Sequence, residues 1–399
     1  MADGTEPAVL SDAMEATPTA DPRPAVPGLH PPSLPHDLPP APVVALDADG
    51  EPDAEQMSIT RRLRQPRTII SIAVPLAIIA AFFAINGEVL ATVPGLVLAA
   101  DPALVLLAFV VFYLGFPLRG RRWAILLQGT GLRISTKDST EIIFLSWLVN
   151  CVVPAKLGDV YRAYLLKINS SAVSLSRTFG TVFMERVLDV FALALLGLAA
   201  GYWSFRSGLP PAIQVVFGVG VVVIGILAVG LFTMRNFGRR IIVALPLPHV
   251  VRDFYDRFEE GVFGAMVVRH MPILGFLTGL IWLTEGLRLF LVVQALGFAD
   301  VSLGLSGAIF VALIGSLLTA VPLSPAGLGV VEAGVIGVLH VGYGVPLPEA
   351  TAIALLDRVI SVFSIIVFGS IVYLFSPLPR GMGHISGPVE APARTVTPA

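Results

Sequence analysis

Between residues 68 and 376 the chain repeatedly runs far enough without a charged side chain to cross a lipid bilayer. An α-helix rises about 1.5 Å per residue, so about 20 apolar residues span a ~30 Å hydrocarbon core. Residues 68–87 and 207–234 reach that length, and residues 102–118 fall slightly short of it. Three further runs are long enough but carry charge. Residues 178–205 hold Glu185, Arg186 and Asp189; 271–299 hold Glu285 and Arg288; 350–376 hold Asp357 and Arg358. Charged residues make up 14% of the chain, against about 25% in soluble domains. A water-soluble globule is therefore a poor fit. A net charge of −2 gives no basic footprint for nucleic acid, and the single Cys151 excludes an internal disulfide or a multi-cysteine zinc site.

Two stretches do not read as simple spans. Residues 142–155 are uncharged for too short a distance and end at Pro154-Ala155, while 301–348 contain one acid, Glu332, and are interrupted by Pro322 and Pro325. Proline removes a backbone donor and clashes with the preceding turn. Each stretch is expected to form a hairpin broken at its proline, either re-entering or crossing twice. The expected fold is all-α and integral to the membrane, with about six full transmembrane helices plus two proline-broken helical hairpins. Residues 1–67, rich in proline and alanine, are expected to be a disordered cytoplasmic tail, 68–376 the transmembrane domain, and 377–399 a short disordered cytoplasmic tail.

Arginine and lysine set the expected sidedness. With the N-terminus inside, the cytoplasmic segments collect Arg61, Arg62, Arg64 and Arg67, then Arg119, Arg121, Arg122, Arg133 and Lys137, then Lys156, Arg162, Lys167 and Arg177. Arg235, Arg239, Arg240, Arg252, Arg257, Arg269, Arg380 and Arg394 follow on the same side, and the outer loops keep only Arg206. That bias places both termini in the cytoplasm and the protein in a plasma membrane. Arg119, Arg121, Arg122 and Trp123 are expected to form an anchoring elbow at the cytoplasmic interface. Residues 249–263, with Val251, Phe254, Phe258 and Val262 at helical spacing, read as an amphipathic helix on the membrane surface.

The chain also repeats itself. Pro154-Ala155-Lys156-Leu157-Gly158-Asp159-Val160 matches Pro325-Ala326-Gly327-Leu328-Gly329-Val330-Val331 at five of seven positions, at an offset of 171. Glu185-Arg186-Val187-Leu188-Asp189-Val190-Phe191 matches Asp357-Arg358-Val359-Ile360-Ser361-Val362-Phe363 at four of seven, at an offset of 172. Two expected spans separate the later pair, so the two units are expected to point in opposite directions. Inverted units with broken segments near the midplane are a transporter architecture.

These motifs resemble those of the lysylphosphatidylglycerol synthase transmembrane-region family, also described as flippase-like. The resemblance rests on Arg121-Arg122-Trp123-Ala124-Ile125-Leu126-Leu127, on Asn150 with Pro154 through Arg162, on Glu185-Arg186 with Asp189, and on Pro325 through Gly329 with Glu332. It covers roughly residues 68–376 and implies a lipid-translocating membrane domain without the aminoacyltransferase that some members carry. The family usually has arginine and glutamate where this chain has Lys156 and Asp159, and glycine where it has Ala326.

An unpaired charge at the bilayer centre costs about 2.5–3.5 kcal/mol on insertion scales. The charged residues inside the spans are therefore expected to pair or to face a wet cavity. Arg186 and Arg358 are expected to face the centre of the inverted repeat and bind lipid phosphate, which a guanidinium fits with two parallel donors. Glu185 and Asp357 would hold these arginines poised, and Glu285 would pair with Arg288 one turn on. The turns at Pro154 with Gly158, and at Pro325 with Gly329, would aim two half-helix N-termini at the midplane, with Lys156, Asp159, Arg162 and Glu332 beside them and Asp189 nearby. Structural ion pairs and packing kinks are the alternative reading. His340 is a possible proton carrier, although a packed neutral histidine is the simpler expectation.

No hydrolase or ATPase signature appears in the sequence. The expected activity is non-enzymatic movement of a phospholipid or lipid-linked headgroup between leaflets. No cofactor or metal is expected, and the expected partners are lipids with anionic or phosphate-bearing headgroups. A membrane partner of a separate lipid-modifying enzyme, an integral-membrane lipid transferase and a homo-oligomer remain open. Abundant Arg, Ala, Gly and Pro suggest a GC-rich bacterial genome.

Overall fold

A computed structural model describes residues 84, 87–153, 156–170, 174–204, 249–299, 301, 303–319, 324–383 and 385, with isolated positions between 214 and 233. The N-terminal tail, the expected spans at 68–87 and 207–234, and Pro154 and Pro322 lie largely or wholly outside these residues. All regular elements among the described residues are helical. They are α1 (Gly87–Leu98), α2 (Pro102–Gly129), α3 (Thr136–Val152), α4 (Gly158–Ile168), α5 (Leu175–Ser204), α6 (His249–Ala265), α7 (Met271–Leu296), α8 (Leu305–Leu318), α9 (Val330–Gly337), α10 (Leu347–Arg358) and α11 (Ser364–Phe375). Short π-helical turns continue α9 through Val338–Gly342 and join α10 to α11 through Val359–Phe363.

The segments Pro102–Gly129, Val268–Leu296, Pro325–Gly342 and Leu347–Phe375 are each long and apolar enough to cross a membrane. The long helices expose large apolar side chains: Leu106, Val110 and Leu114 on α2, Leu195 and Trp203 on α5, Phe276 and Leu283 on α7, Val367 and Leu374 on α11. Such a surface is stable only against lipid or another apolar partner. The span expected at 102–118 is longer in the structure, because α2 continues through Arg119 and Arg122 to Gly129.

At both places where a hairpin was expected, two helices flank a turn. In the first, α3 and α4 flank a turn that includes Lys156 and Leu157; in the second, α8 and α9 flank a turn at Ser324–Gly329. The 11 residues of α4 and 14 of α8 give lengths of about 17 and 21 Å, short of a ~30 Å core. Each hairpin therefore has one arm shorter than a full span.

The internal repeat is larger than the two matched strings. One unit is α2, hairpin α3–α4, then α5; the other is α7, hairpin α8–α9, then α10–α11. The leading helices of the two units run antiparallel. Asp101, which caps α2, donates its N–H to the Ala295 carbonyl at the end of α7 (2.8 Å), and Arg122 reaches back to Thr278 Oγ1 (3.1 Å) near its start. A glycine in each leading helix lets the first hairpin arm cross closely. A Cβ at Gly120 would sit 2.8 Å from the Thr140 backbone nitrogen, and one at Gly286 would sit 2.9 Å from Ile309 Cα.

The amphipathic helix expected at 249–263 is α6, but it is more than a surface float. Gly180 and Gly261 let α5 and α6 cross in close contact, Val262 is fully buried, and Arg177 Nη2 donates to Glu260 Oε2 (2.7 Å). Val251 and Phe254, on the same face nearer the start of the helix, remain exposed. At the other end of the chain, packing extends past the expected boundary at 376. Leu378 is buried, its carbonyl accepts from Asn169 Nδ2 (2.9 Å), and the Gly383 N–H donates to Asn169 Oδ1 (2.6 Å).

Gly286→Leu should destabilise the folded protein by about 1–3 kcal/mol, the usual cost of overpacking. Gly275→Ala in the same helix meets open space and should be neutral or stabilising by up to about 1 kcal/mol. Thermal unfolding of the two variants in detergent checks the contrast.

Candidate functional site

Charged side chains from both units converge between the helices. From α2, Arg122 pairs with Asp189 (2.6 Å) and Glu185 (3.0 Å) of α5, and Arg119 pairs with Glu285 of α7 (2.5 Å). From α4, Arg162 pairs with the second oxygen of Glu185 (3.0 Å), and its guanidinium lies 4.9 Å over the Trp123 ring. Arg186 makes a two-pronged contact with Asp159 of the same hairpin arm, Nη2 to Oδ1 at 2.9 Å and Nε to Oδ2 at 3.2 Å, and reaches Asp189 at 3.3 Å. In the other unit, Arg288 grips Asp357 with Nε and Nη2 (2.8 and 3.0 Å) and also pairs with Glu285. Arg358 Nε donates to Glu332 Oε1 (2.8 Å).

The two halves repeat one plan. In each, an arginine of the leading helix meets an acid of the last one, Arg122 to Glu185 and Arg288 to Asp357. In each, the second hairpin arm is tied to the last helix, but the charges are exchanged: Arg162 to Glu185 in one unit, Glu332 to Arg358 in the other. Arg122, Arg162 and Glu185 are 1, 2 and 3% exposed. At that burial the pairing is obligatory, because an isolated ion would be strongly disfavoured.

A cavity of about 250 Å³ lies among these groups. Its wall includes Lys156, Asp159, Arg186 and Asp189 from the first unit, and Glu285, Arg288, Asp357 and Arg358 from the second, with Arg119 and Trp282. Val190, Leu193, Leu289 and Val335 give it an apolar side. The turns of both hairpins reach it through Lys156, Ser324, Ala326 and Gly327. Lys156 (φ 52°) and Ala326 (φ 51°) are the non-glycine residues with positive φ among the described residues. That conformation costs a side-chain-bearing residue of order 1–3 kcal/mol and clusters at functional sites.

The structure brings Arg186 and Arg358 to one cavity, with Lys156, Asp159, Asp189 and Asp357. It corrects how they are held. Glu185 was expected to hold Arg186 and instead serves Arg122 and Arg162; Asp357 was expected to hold Arg358 and instead serves Arg288. Consecutive residues on a helix point about 100° apart, so each acid faces a different neighbour from the arginine after it. The expected pairing of Glu285 with Arg288 is present. The half-helix ends are not open to an anion as drawn from sequence. The Gly158 N–H is taken by Asn150 Oδ1 (2.8 Å) and the Gly329 N–H by Glu332 Oε2 (2.6 Å). His340 is bound through Nδ1 to the Val345 carbonyl (2.8 Å) and does not line the cavity.

The expected interfacial elbow is also corrected. Arg119, Arg122 and Trp123 are buried, and Arg121 alone of the four is exposed. Counting uncharged residues ended the span at Leu118, whereas acids on α5 and α7 let the helix carry two arginines inward. These arginines, Trp282 and Ser361 are site residues that sequence reasoning missed. A signal existed for one of them: Gly120-Arg121-Arg122 and Gly286-Leu287-Arg288 share the Gly-x-Arg pattern at an offset of 166. In both, the glycine admits the hairpin and the arginine two residues on meets the acid.

Glu185→Gln leaves two buried arginines short of a counter-charge and should cost about 3–5 kcal/mol. Arg186→Gln, at a side chain 44% exposed, should cost about 1 kcal/mol or less. Lys156→Gly should raise stability by about 1 kcal/mol by relieving the positive φ. Thermal midpoints of the three purified variants against the parent check this order.

Comparison with known proteins agrees with this architecture. The chain matches the model of the lysylphosphatidylglycerol synthase TM region over residues 69–369. It is 37% identical over 225 residues to a UPF0104 membrane protein of Methanocaldococcus jannaschii, covering 56% of this chain and 92% of that one. It is 28% identical over 294 residues to a UPF0104 membrane protein of Methanothermobacter thermautotrophicus, covering 68% and 84%. It is 30% identical over 296 residues to a Haloferax volcanii protein named glycosyltransferase AglD, covering 65% of this chain but 47% of AglD. These relatives are archaeal. The helices long enough to span a membrane and the extent of the family match lead to one conclusion: the chain is a multi-pass integral membrane protein of the lysylphosphatidylglycerol synthase TM-region family.

Proposed function

We propose that the protein moves a phospholipid or lipid-linked headgroup between the leaflets of a plasma membrane, with both termini in the cytoplasm. One observation carries this reading: a single cavity takes ionised side chains from both inverted units and has apolar residues on its wall. The barrier to lipid flip-flop is the loss of water from the headgroup. Fixed charges inside the bilayer replace that water while the acyl chains stay in lipid. Arg186 and Arg358 supply guanidinium donors to the phosphate, and Asp159 and Glu332 hold them when the site is empty. Without an ATP-hydrolysing motif, transport runs downhill or is coupled to an ion.

The glycosyltransferase name of the Haloferax relative favours a second reading. The same groove would then serve a separate lipid-modifying enzyme as a membrane partner, or itself carry a transfer to a lipid. Reconstitution into vesicles with labelled lipid separates the possibilities. Protein-dependent movement of unchanged lipid supports the transporter, and a mass-shifted lipid supports the transferase. Neither result, together with a co-purifying enzyme, supports the partner. Arg186→Gln with Arg358→Gln should abolish movement, and Glu332→Gln, which breaks the same buried pair but keeps both arginines, should retain it, which separates phosphate binding from loss of fold. Undiminished transport in that double variant would remove the phosphate-binding assignment.

A further inference from the structure

We propose that Lys156 selects a headgroup carrying one net negative charge, a phosphodiester without a compensating cation. The proposal rests on the lipid-transport reading and names the substrate class for the same cavity.

The charges of the site do not cancel. Its acids are Asp159, Glu185, Asp189, Glu285, Glu332 and Asp357, and each is ion-paired to one or more of Arg119, Arg122, Arg162, Arg186, Arg288 and Arg358. Six arginines answer six carboxylates. Lys156 is the seventh cation, and it makes no ion pair or hydrogen bond among the described residues, although it lines the cavity near Arg186, Asp159 and Asp189. The empty site therefore holds one positive charge too many. A monoanion makes it neutral, a zwitterion leaves the excess in place, and a cationic headgroup raises it.

Its backbone position makes the lysine more telling. Lys156 (φ 52°) aligns with Gly327 (φ 70°) in the inverted unit. Glycine adopts that conformation without steric cost. The first hairpin carries a long cation at the position where the second carries the residue its geometry favours. Strain of this kind persists where a function retains it.

Hydrogen-bonding capacity at the same cavity points to an oxyanion. Arg119 Nη1, Arg358 Nη2 and Ser361 Oγ are buried without a partner, and all three residues line the cavity. Arg119 and Arg358 are 5 and 8% exposed. Buried donors left unmade are costly. Small movements that bring them onto phosphate oxygens would satisfy all three, with Lys156 supplying the charge that the arginines spend on their own carboxylates.

The test is competition for binding to purified full-length protein in detergent, read with fluorescent phosphatidylglycerol as the probe. Unlabelled competitors are phosphatidylglycerol (net −1), phosphatidylcholine (net 0), a lysyl-ester phosphatidylglycerol (net +1) and inorganic phosphate. The parent should prefer phosphatidylglycerol over phosphatidylcholine by about tenfold, the effect of one charge-assisted contact. Lys156→Arg should keep that ratio, Lys156→Gln should bring it to about twofold or less, and Lys156→Glu should turn preference towards the lysyl ester. The glutamine and arginine variants share the same backbone strain, so a difference between them reports charge. A parent without preference, or a glutamine variant that keeps it, overturns the proposal. Inorganic phosphate competing as well as the lipid would mark a free-anion site and overturn it also. Vesicle transport of phosphatidylglycerol is measured separately. Charge preference without movement would reject transport and keep Lys156 selection, and movement without preference would do the reverse.

Discussion

The mutual neutralisation of arginine and carboxylate inside an apolar bundle is the condition on which the rest of this structure depends. Six arginines sit among helices whose outer faces are apolar. The buried ones would be costly alone in that setting, and pairing makes the helices that carry them compatible with a bilayer. The demand also fixes geometry. Glu185 must lie between α2 and α4 to serve Arg122 and Arg162 together, and Arg288 must face both its own helix and α10 to meet Glu285 and Asp357. The charged cluster thus sets the relative placement of five helices that apolar packing could arrange in several ways.

Much of this was legible in the chain. The repeated proline-glycine turns and the paired acid-arginine strings located both hairpins and both trailing helices, because each is a local pattern with a fixed consequence. The antiparallel relation followed from the parity of the spans between them. The pairing partners were not legible. Which face of α5 carries Glu185 follows from helical geometry, but which neighbour lies opposite is a tertiary fact. Arg119 and Arg122 were hidden by the same gap: an arginine that ends an uncharged run has the same sequence appearance whether it anchors at an interface or turns inward to a carboxylate. The capped ends at Gly158 and Gly329 were hidden too, since Asn150 and Glu332 had to be placed in space before their acceptors could be counted.

The repeated plan lets one motif do similar work twice while the charges change hands. The tie between the second hairpin arm and the last helix requires opposite charges, not a particular order of them. Arg162 to Glu185 and Glu332 to Arg358 are equivalent in that sense. The exchange places an arginine on the hairpin in one half and on the trailing helix in the other, and of these four side chains Arg358 is the one that lines the cavity. The apolar side formed by Val190, Leu193, Leu289 and Val335 completes a surface suited to a molecule that is ionic at one end and oily at the other.

The two hairpins are not fastened with equal strength. Among the described residues, the first is tied to α5 by the ion pairs of Arg162 with Glu185 and of Arg186 with Asp159, while the second is tied to α10 by the ion pair of Glu332, which also caps its own turn at Gly329. A single carboxylate that serves as both latch and hinge-pin makes the second hairpin the compliant member of the pair. Losing that one carboxylate would free the turn and release its tether together, whereas the first hairpin would stay moored by its remaining contact after any one such loss.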